Sequence, residues 1–298
     1  MIDEQLVDIF PPSVEDPKSY YEGVDLLDRV ICCNVIVFER LSRRTLQRQS
    51  LANRMHHRYV LIRVLETAGV ASVDGQSFQL NEGDALLVAP HQFHHFIDLL
   101  SDKLRWLFIT FELAQGESIL ADLSYCCLRP DRETHLLWGE ITQLWAGGHS
   151  VKKMELLPLL DLMLMRLRSI MEVQGAKMND VRLSPKNEWI VRIEALIIRS
   201  VKEGWTLEEV AQRAGFSERQ LRNRFEQQMG LSLSDYRSNY QFHTAISLMR
   251  DSTRSLTAVA ERCGFNSQSV FTRFIRRMAG KTPRELCRQI RDGRYEPS

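Results

Sequence analysis

The chain has 298 residues, 44% apolar and 26% charged, with a formal net charge of +1. That balance excludes a collagen-like, low-complexity or mostly disordered polypeptide, and no apolar run approaches the roughly 18 residues of a membrane span. The acidic, proline-bearing start MIDEQLVDIFPPSVEDP has no apolar stretch and reads as no secretory leader. Six cysteines, four of them in the adjacent pairs Cys32-Cys33 and Cys126-Cys127, suit neither a disulfide framework nor a zinc site. A cytoplasmic protein with reduced thiols and no membrane partner is expected. The overall charge hides an asymmetry. Residues 1–186 carry 20 Lys+Arg and 25 Asp+Glu, net −5, whereas residues 187–298 carry 19 and 13, net +6. A basic module joined to an acidic one points to a polyanion as partner of the basic half.

In chain order, residues 31–112 read as β-structure. ICCNVIVF (31–38) and YVLIRVLE (59–66) are rich in β-branched residues. Asp74-Gly75 between GVASV and QSFQL is a two-residue hairpin signal. A turn at Asn81–Asp84, the strand ALLVA (85–89), the segment HQFHHF (91–96) and the bulky strand LRWLFITFEL (104–113) follow. Closely spaced antiparallel strands predict a small barrel or jelly roll over about 28–113. Segments 134–148 and 151–175 then predict a helical hairpin. Its second helix carries Leu156, Leu160, Met163, Leu164 and Leu167 and is apolar over much of its surface, so it must be buried. Two readings stand, packing on the barrel and a dimer seam, and they are compatible. Residues 176–185 lack periodicity and read as a linker between an N-terminal domain, 1–175, and a C-terminal all-α domain, 186–298.

The C-terminal half repeats itself at an offset of 49 residues. LEEVAQRAGFSERQLRNRF (207–225) aligns with LTAVAERCGFNSQSVFTRF (256–274). Ala211 and Ala260 are small enough for a second helix to pass close, and Gly215 and Gly264 suit a tight turn. Capping boxes are read at Thr206–Glu209, Ser217–Gln220 and Thr282–Glu285. These signals predict two helix-turn-helix units, about 206–229 and 255–279, joined by a long helix over about 232–251. In the first unit Leu221, Phe225 and Met229 face inward, and Arg219, Arg222 and Asn223 point out. In the second, Val270, Phe274 and Met278 are expected inward. Gln268, Ser269, Thr272 and Arg273 are expected outward, with Arg276 further along. Such polar side chains hydrogen-bond base edges in the major groove. A joining helix of about 18 residues spans roughly 27 Å, close to the roughly 34 Å of one DNA turn, so one subunit is expected to read two successive major-groove segments. Lys281 and Thr282, at the start of the last helix, are read as a phosphate clamp.

The stretch AVAERCGFNSQSVFTRFIRRMAGKTPRELCR (258–288) resembles the signature of the AraC/XylS transcription regulators nearly throughout, departing at Leu286-Cys287, where that family usually has Tyr-Arg. The resemblance implies a DNA-binding domain over 187–290, with the outward residues above at base-facing positions. It also implies dimerisation through the helical hairpin, contact with RNA polymerase, and a role as an activator. Gly83, Asp84, Pro90 and His94 resemble the cupin-like sensor domain common in that family.

Such a sensor implies a small-molecule pocket. His94, Phe96, Trp106 and Phe108, with Arg54, His56 or His57 at the rim, are the expected lining, and aromatic faces with a few polar groups suit a sugar or similar metabolite. His56, His57 and His94 imitate three ligands of a metal cupin. Adjacent strand residues face opposite ways, however, and no Glu follows at the expected spacing, so no metal or other cofactor is expected. The favoured function is a sequence-specific, effector-controlled DNA-binding regulator that is not an enzyme. Two alternatives are a metal-dependent cupin enzyme with a DNA-binding tail and a ligand-independent dimeric DNA-binding protein.

Overall fold

The computed structural model describes residues 29–47, 54–147, 152–174, 181, 183–250, 253–292 and 294–295. The expected linker therefore lies mostly outside the described residues. Strands β1 (Ile31–Ser42), β2 (Tyr59–Glu66), β5 (Ala85–Val88), β7 (Lys103–Gln115) and the short β8 (Cys127–Leu128) form a sheet in the order β1-β7-β2-β5-β8. Strands β3 (Gly69–Val73), β4 (Gln76–Leu80) and β6 (His94–Ile97) form a second sheet, β4-β3-β6. All strand ladders are antiparallel. Asp74 and Gly75 take φ values of 50° and 75°, as the two-residue turn between β3 and β4 requires.

Strand alternation divides the apolar side chains between two cores. Val60, Ile62 and Val64 of β2 and Trp106 and Phe108 of β7 point into the space between the sheets, where they meet Ala71, Val73 and Phe96. Leu61 of β2 and Leu107, Ile109 and Phe111 of β7 point the other way. That outer face is covered by a helical hairpin of α3 (Arg132–Ala146) and α4 (Leu156–Gln174). Helices α1 (Arg43–Gln47) and α2 (Glu117–Ala121) and strand β8 are too short to have left a periodic signal. The packing corrects the dimer-seam expectation. Leu156, Leu160, Met163, Leu164 and Leu167 are all buried against the sheet within one chain, so they form the core of the N-terminal domain.

The C-terminal domain contains α5 (Pro185–Glu203), α6 (Leu207–Ala214), α7 (Glu218–Met229), α8 (Leu233–Arg250), α9 (Leu256–Arg262), α10 (Gln268–Ala279) and α11 (Pro283–Arg291). The long helix α8 serves two cores. Leu233, Tyr236 and Tyr240 pack with α5, α6 and α7, whereas Phe242, Ala245, Ile246 and Met249 pack with α9, α10 and α11. Gly264 ties the halves together. With φ of 74°, it lies so close to the end of α5 that a Cβ would stand 2.5 Å from the Val201 carbonyl oxygen. Its counterpart Gly215 has the same backbone region, φ 79°, with open space around it.

Helix α5 also docks on the outer face of the β4-β3-β6 sheet. Met55 and Phe93 of the N-terminal domain enter the α5 core, and Phe93 meets Tyr236 edge-on at 4.6 Å between ring centres. Asp98 accepts from the Ser184 amide at 3.0 Å and from Asn187 Nδ2 at 2.7 Å, anchoring the start of α5. Glu194, at 0% exposure, accepts from Ser72 Oγ at 3.2 Å and lies 3.4 Å from His95 Nδ1. Burial pushes the Glu194 carboxyl up to about 8 and holds the His95 imidazole down to about 3. Near neutral pH the two face each other as a protonated carboxyl and a neutral imidazole, because desolvation outweighs their attraction.

Gly264→Ala should cost more than about 2 kcal/mol, from the left-handed backbone plus the carbonyl clash, against about 1 kcal/mol for Gly215→Ala; urea midpoints compare them. For Glu194, the folded chain keeps a proton that the unfolded chain releases above about pH 4.5, so wild-type stability falls as pH rises from about 4.5 to 8. Glu194→Gln removes that fall. Unfolding midpoints of the two proteins should be close at the acid end of the window and separate toward its alkaline end, with the variant higher by roughly 4 kcal/mol at most. The His95 contribution, lost as pH falls from 6.5 toward 3, is common to both proteins and cancels.

Candidate nucleic-acid interface and sensor pocket

The expected capping boxes are present at Thr206–Glu209, Ser217–Gln220 and Thr282–Glu285, and they fix where α6, α7 and α11 start. In the second unit Ser255 and Ser267 cap α9 and α10 by accepting from the Ala258 and Val270 amides. The caps correct the repeat register. Ser217 follows Gly215 by two residues, but Ser267 follows Gly264 by three. The offset is therefore 49 up to the turn and 50 after it. One extra residue rotates the second helix by about 100° relative to the uniform alignment. Phe271, not Val270, occupies the position of Leu221, and Ile275 that of Phe225. Val270 is 43% exposed, so the inward expectation for it is corrected.

On this register Arg219 corresponds to Ser269, Arg222 to Thr272 and Asn223 to Arg273. Arg219, Asn223, Gln268, Ser269 and Arg273 are exposed along the N-terminal and middle turns of α7 and α10, Arg276 is exposed in the last turn of α10, and Arg222 and Thr272 are half-buried. Arg222 is engaged within the chain: its Nε donates to Glu218 Oε1 at 2.8 Å and its Nη1 to Ser234 Oγ at 2.6 Å. It braces α7 against the start of α8. Lys281 donates to Gln289 Oε1 at 2.7 Å, and Thr282 Oγ1 donates to Glu285 Oε2 at 2.7 Å. The Glu285 carboxylate thus already occupies the N-terminus of α11, the place expected for a phosphate. Not every arginine of the basic half faces outward to a partner. Arg224 stacks over Trp189 at 4.4 Å and Arg213 over Trp205 at 3.8 Å, covering apolar rings of the domain.

The expected sensor residues separate into three places. His94, Phe96, Trp106 and Phe108 share the barrel interior, with His56 beside them. His56 meets His94 edge-on at 5.5 Å, His94 meets Phe96 at 6.2 Å, and Phe96 meets Trp106 at 5.3 Å and Phe108 at 5.8 Å. Phe38 stacks on Phe108 at 5.2 Å. Trp106 is fully buried and its indole N–H donates to the Thr67 carbonyl at 2.9 Å. This part of the interior is a packed file of rings, which corrects the expectation of a cavity lined by Trp106 and Phe108. Burial holds His56 down to about 3 and His94 to about 4, so both rings are neutral. His57 lies elsewhere, with its Nε2 3.5 Å from Glu112. Among the described residues no three His, Cys, Asp or Glu side chains gather as metal ligands.

Arg54 takes a third position, on the side of the barrel facing the C-terminal domain. It borders a cavity of about 230 Å³ between the domains, lined by Gln47, Arg54 and His95 on one side and by Lys186, Asn187 and Gln228 on the other. Sequence reading did not single out Glu194, Lys186 or Gln228. One signal was visible: Glu194 sits on the apolar stripe of α5 between Ile190, Ile193, Ile197 and Val201, where a charged side chain needs an explanation.

Comparison with known proteins accords with this architecture. The model of the AraC-like ligand binding domain matches residues 37–177, and that of a helix-turn-helix domain matches residues 210–289. The arabinose operon regulatory protein of Salmonella typhimurium is 24% identical over 240 residues, covering 76% of this chain and 83% of that protein. The transcriptional activator RhaS of Klebsiella pneumoniae is 28% identical over 264 residues, covering 82% of this chain and 90% of its own. Among solved structures, ToxT of Vibrio cholerae O395 aligns with 88% of this chain and 96% of its own at 12% identity, with a TM-score of 0.33. With a sheet-rich ligand-binding domain followed by a helical domain carrying two helix-turn-helix units, the chain belongs to the AraC-type transcription regulators.

Proposed function

We propose that the chain is a cytoplasmic transcription activator that binds duplex DNA through α7 and α10, reads two successive major-groove segments, and answers to a small-molecule effector. The observation that carries this reading is the duplicated unit itself. Each recognition helix buries one stripe in its own core and leaves Arg219 and Asn223, or Gln268, Ser269 and Arg273, exposed on the other. Val270 joins that exposed face and offers an apolar contact of the kind a thymine methyl accepts. Thr272 and Arg276 flank it. Arg222 is assigned to bracing α7, Thr282 to the α11 cap and Lys281 to its hydrogen bond with Gln289, rather than to a phosphate.

The activator role and a sugar-sized effector are supported by relatives named for an arabinose operon and for transcriptional activation. Assembly as a homodimer is supported by the apolar side chains left outside the hairpin core, such as Leu136 at 61% and Leu162 at 47% exposure. Contact with RNA polymerase belongs to the same reading. A regulator with no catalytic step is favoured over a metal cupin enzyme because the clustered histidines are packed against rings rather than gathered around one point.

Selection of full-length protein on a random duplex library tests the reading. It should enrich a motif with two half-sites about one helical turn apart, whereas binding without enrichment, lost steeply with salt, would contradict it. On the enriched site Arg273→Ala should cost about 1–3 kcal/mol and relax the sequence preference locally. Arg222→Ala should instead lower thermal stability and leave base preference unchanged.

A further inference from the structure

The cavity between the domains is built from charges and orphaned polar groups. Arg54 enters from the barrel side and Lys186 from the first turn of α5. The carboxyl facing Arg54 is Glu194, which burial keeps protonated near neutrality, so the guanidinium lacks a full counter-charge. His95, only 6% exposed, turns its Nδ1 to Glu194 at 3.4 Å and has its Nε2 buried without a hydrogen-bond partner, and the Gln228 side-chain oxygen is likewise buried and unpaired. Buried polar atoms are normally satisfied, and their clustering around one cavity marks a place where a polar molecule supplies the missing partners. At about 230 Å³ the space has room for about eight non-hydrogen atoms, taking the roughly 30 Å³ of a liquid water as the measure.

We propose that this cavity is an anion site taking a small metabolite with a carboxylate or phosphate group, held by Arg54 from the sensor domain and Lys186 from the DNA-binding domain. A guanidinium is suited to either headgroup because its N–H donors match two oxygens at once. The neutral imidazole of His95 and the Gln228 side chain are placed to hydrogen-bond the rest of the molecule. Gln228 stands in the last turn of α7, so a bound anion connects the sensor domain to the first recognition helix. This deepens the effector-controlled reading above and rests on it for the regulatory consequence alone: an anion that binds only when α5 is docked favours the docked arrangement.

The test is calorimetric titration of full-length protein, without DNA, using sodium phosphate and sodium succinate, against sodium chloride at matched ionic strength. Saturable binding of either probe at one site per chain is expected, weakened about tenfold or more in Arg54→Gln and in Lys186→Gln. Lys186 is exposed, so its replacement keeps the test valid if the Arg54 variant folds poorly. Saturation by phosphate alone assigns a phosphorylated ligand, by succinate alone a carboxylated one, and by both a shared anion site. Absence of saturable binding by both probes at millimolar concentrations, or binding that neither substitution weakens, overturns the proposal. The DNA-selection experiment judges the regulator reading independently. Anion binding without an enriched motif would remove that reading and leave the site standing.

Discussion

The burial of Glu194 at the domain boundary is the constraint from which the rest of the structure is organised. A carboxyl withdrawn completely from water is tolerated here because Ser72 hydrogen-bonds it, His95 faces it and its proton is retained. Those partners belong to the β-sandwich, whereas Glu194 belongs to the first helix of the DNA-binding domain. The same helix has its N-terminus held by Asp98 and its C-terminus pressed against the turn glycine of the second helix-turn-helix unit. One element therefore touches the sensor sheet, the first recognition unit and the second. A shift of α5 on the sheet cannot leave both recognition helices where they were, which gives an effector a mechanical route to DNA affinity. Differential binding to the two arrangements supplies the energy for that shift.

The two recognition units are related by more than sequence. Each is a short helix, a tight turn and a capped second helix packed on one half of α8, and that shared helix sets their separation. The one-residue difference in turn length shows how little of the pattern is free to vary. The second helix rotates to bring Phe271 inward, and its polar face is preserved because Ser269, Thr272 and Arg273 rotate with it. The N-cap serines mark this shift physically, since Ser217 and Ser267 each begin a helix whatever the spacing before them.

Much of this was legible in the sequence. Asp74-Gly75 located its hairpin because few residue pairs accept positive φ at both positions, and the capping boxes located three helix starts. The polar face of α7 followed from helical periodicity and its capping box, whereas α10 was read with Val270 inward because the extra residue in its turn leaves no periodic signal. What was not legible depends on contacts between segments distant in sequence. The apolar stripe of α4 is identical for packing on a sheet or on a second chain, and only the sheet face formed by Leu61, Ile109 and Phe111 decides it. Trp106 and Phe108 face inward as strand alternation requires, but alternation does not say whether the interior is filled, and Phe38 and Phe96 fill it. Arg222 carries the residue type of a base reader, yet its engagement with Glu218 and Ser234 depends on where α8 begins.

Hydrogen exchange across a urea titration of the full-length chain shows whether α5 is a structural element shared by both domains. Peptides from β3 and β6, from Pro185–Glu203 and from Glu218–Met229 would be followed in parallel. Helix α5 and the first recognition helix should lose protection together with the sheet that holds Glu194, in one coincident transition. Loss of protection in α5 and α7 at a urea concentration where β3 and β6 remain fully protected would contradict it.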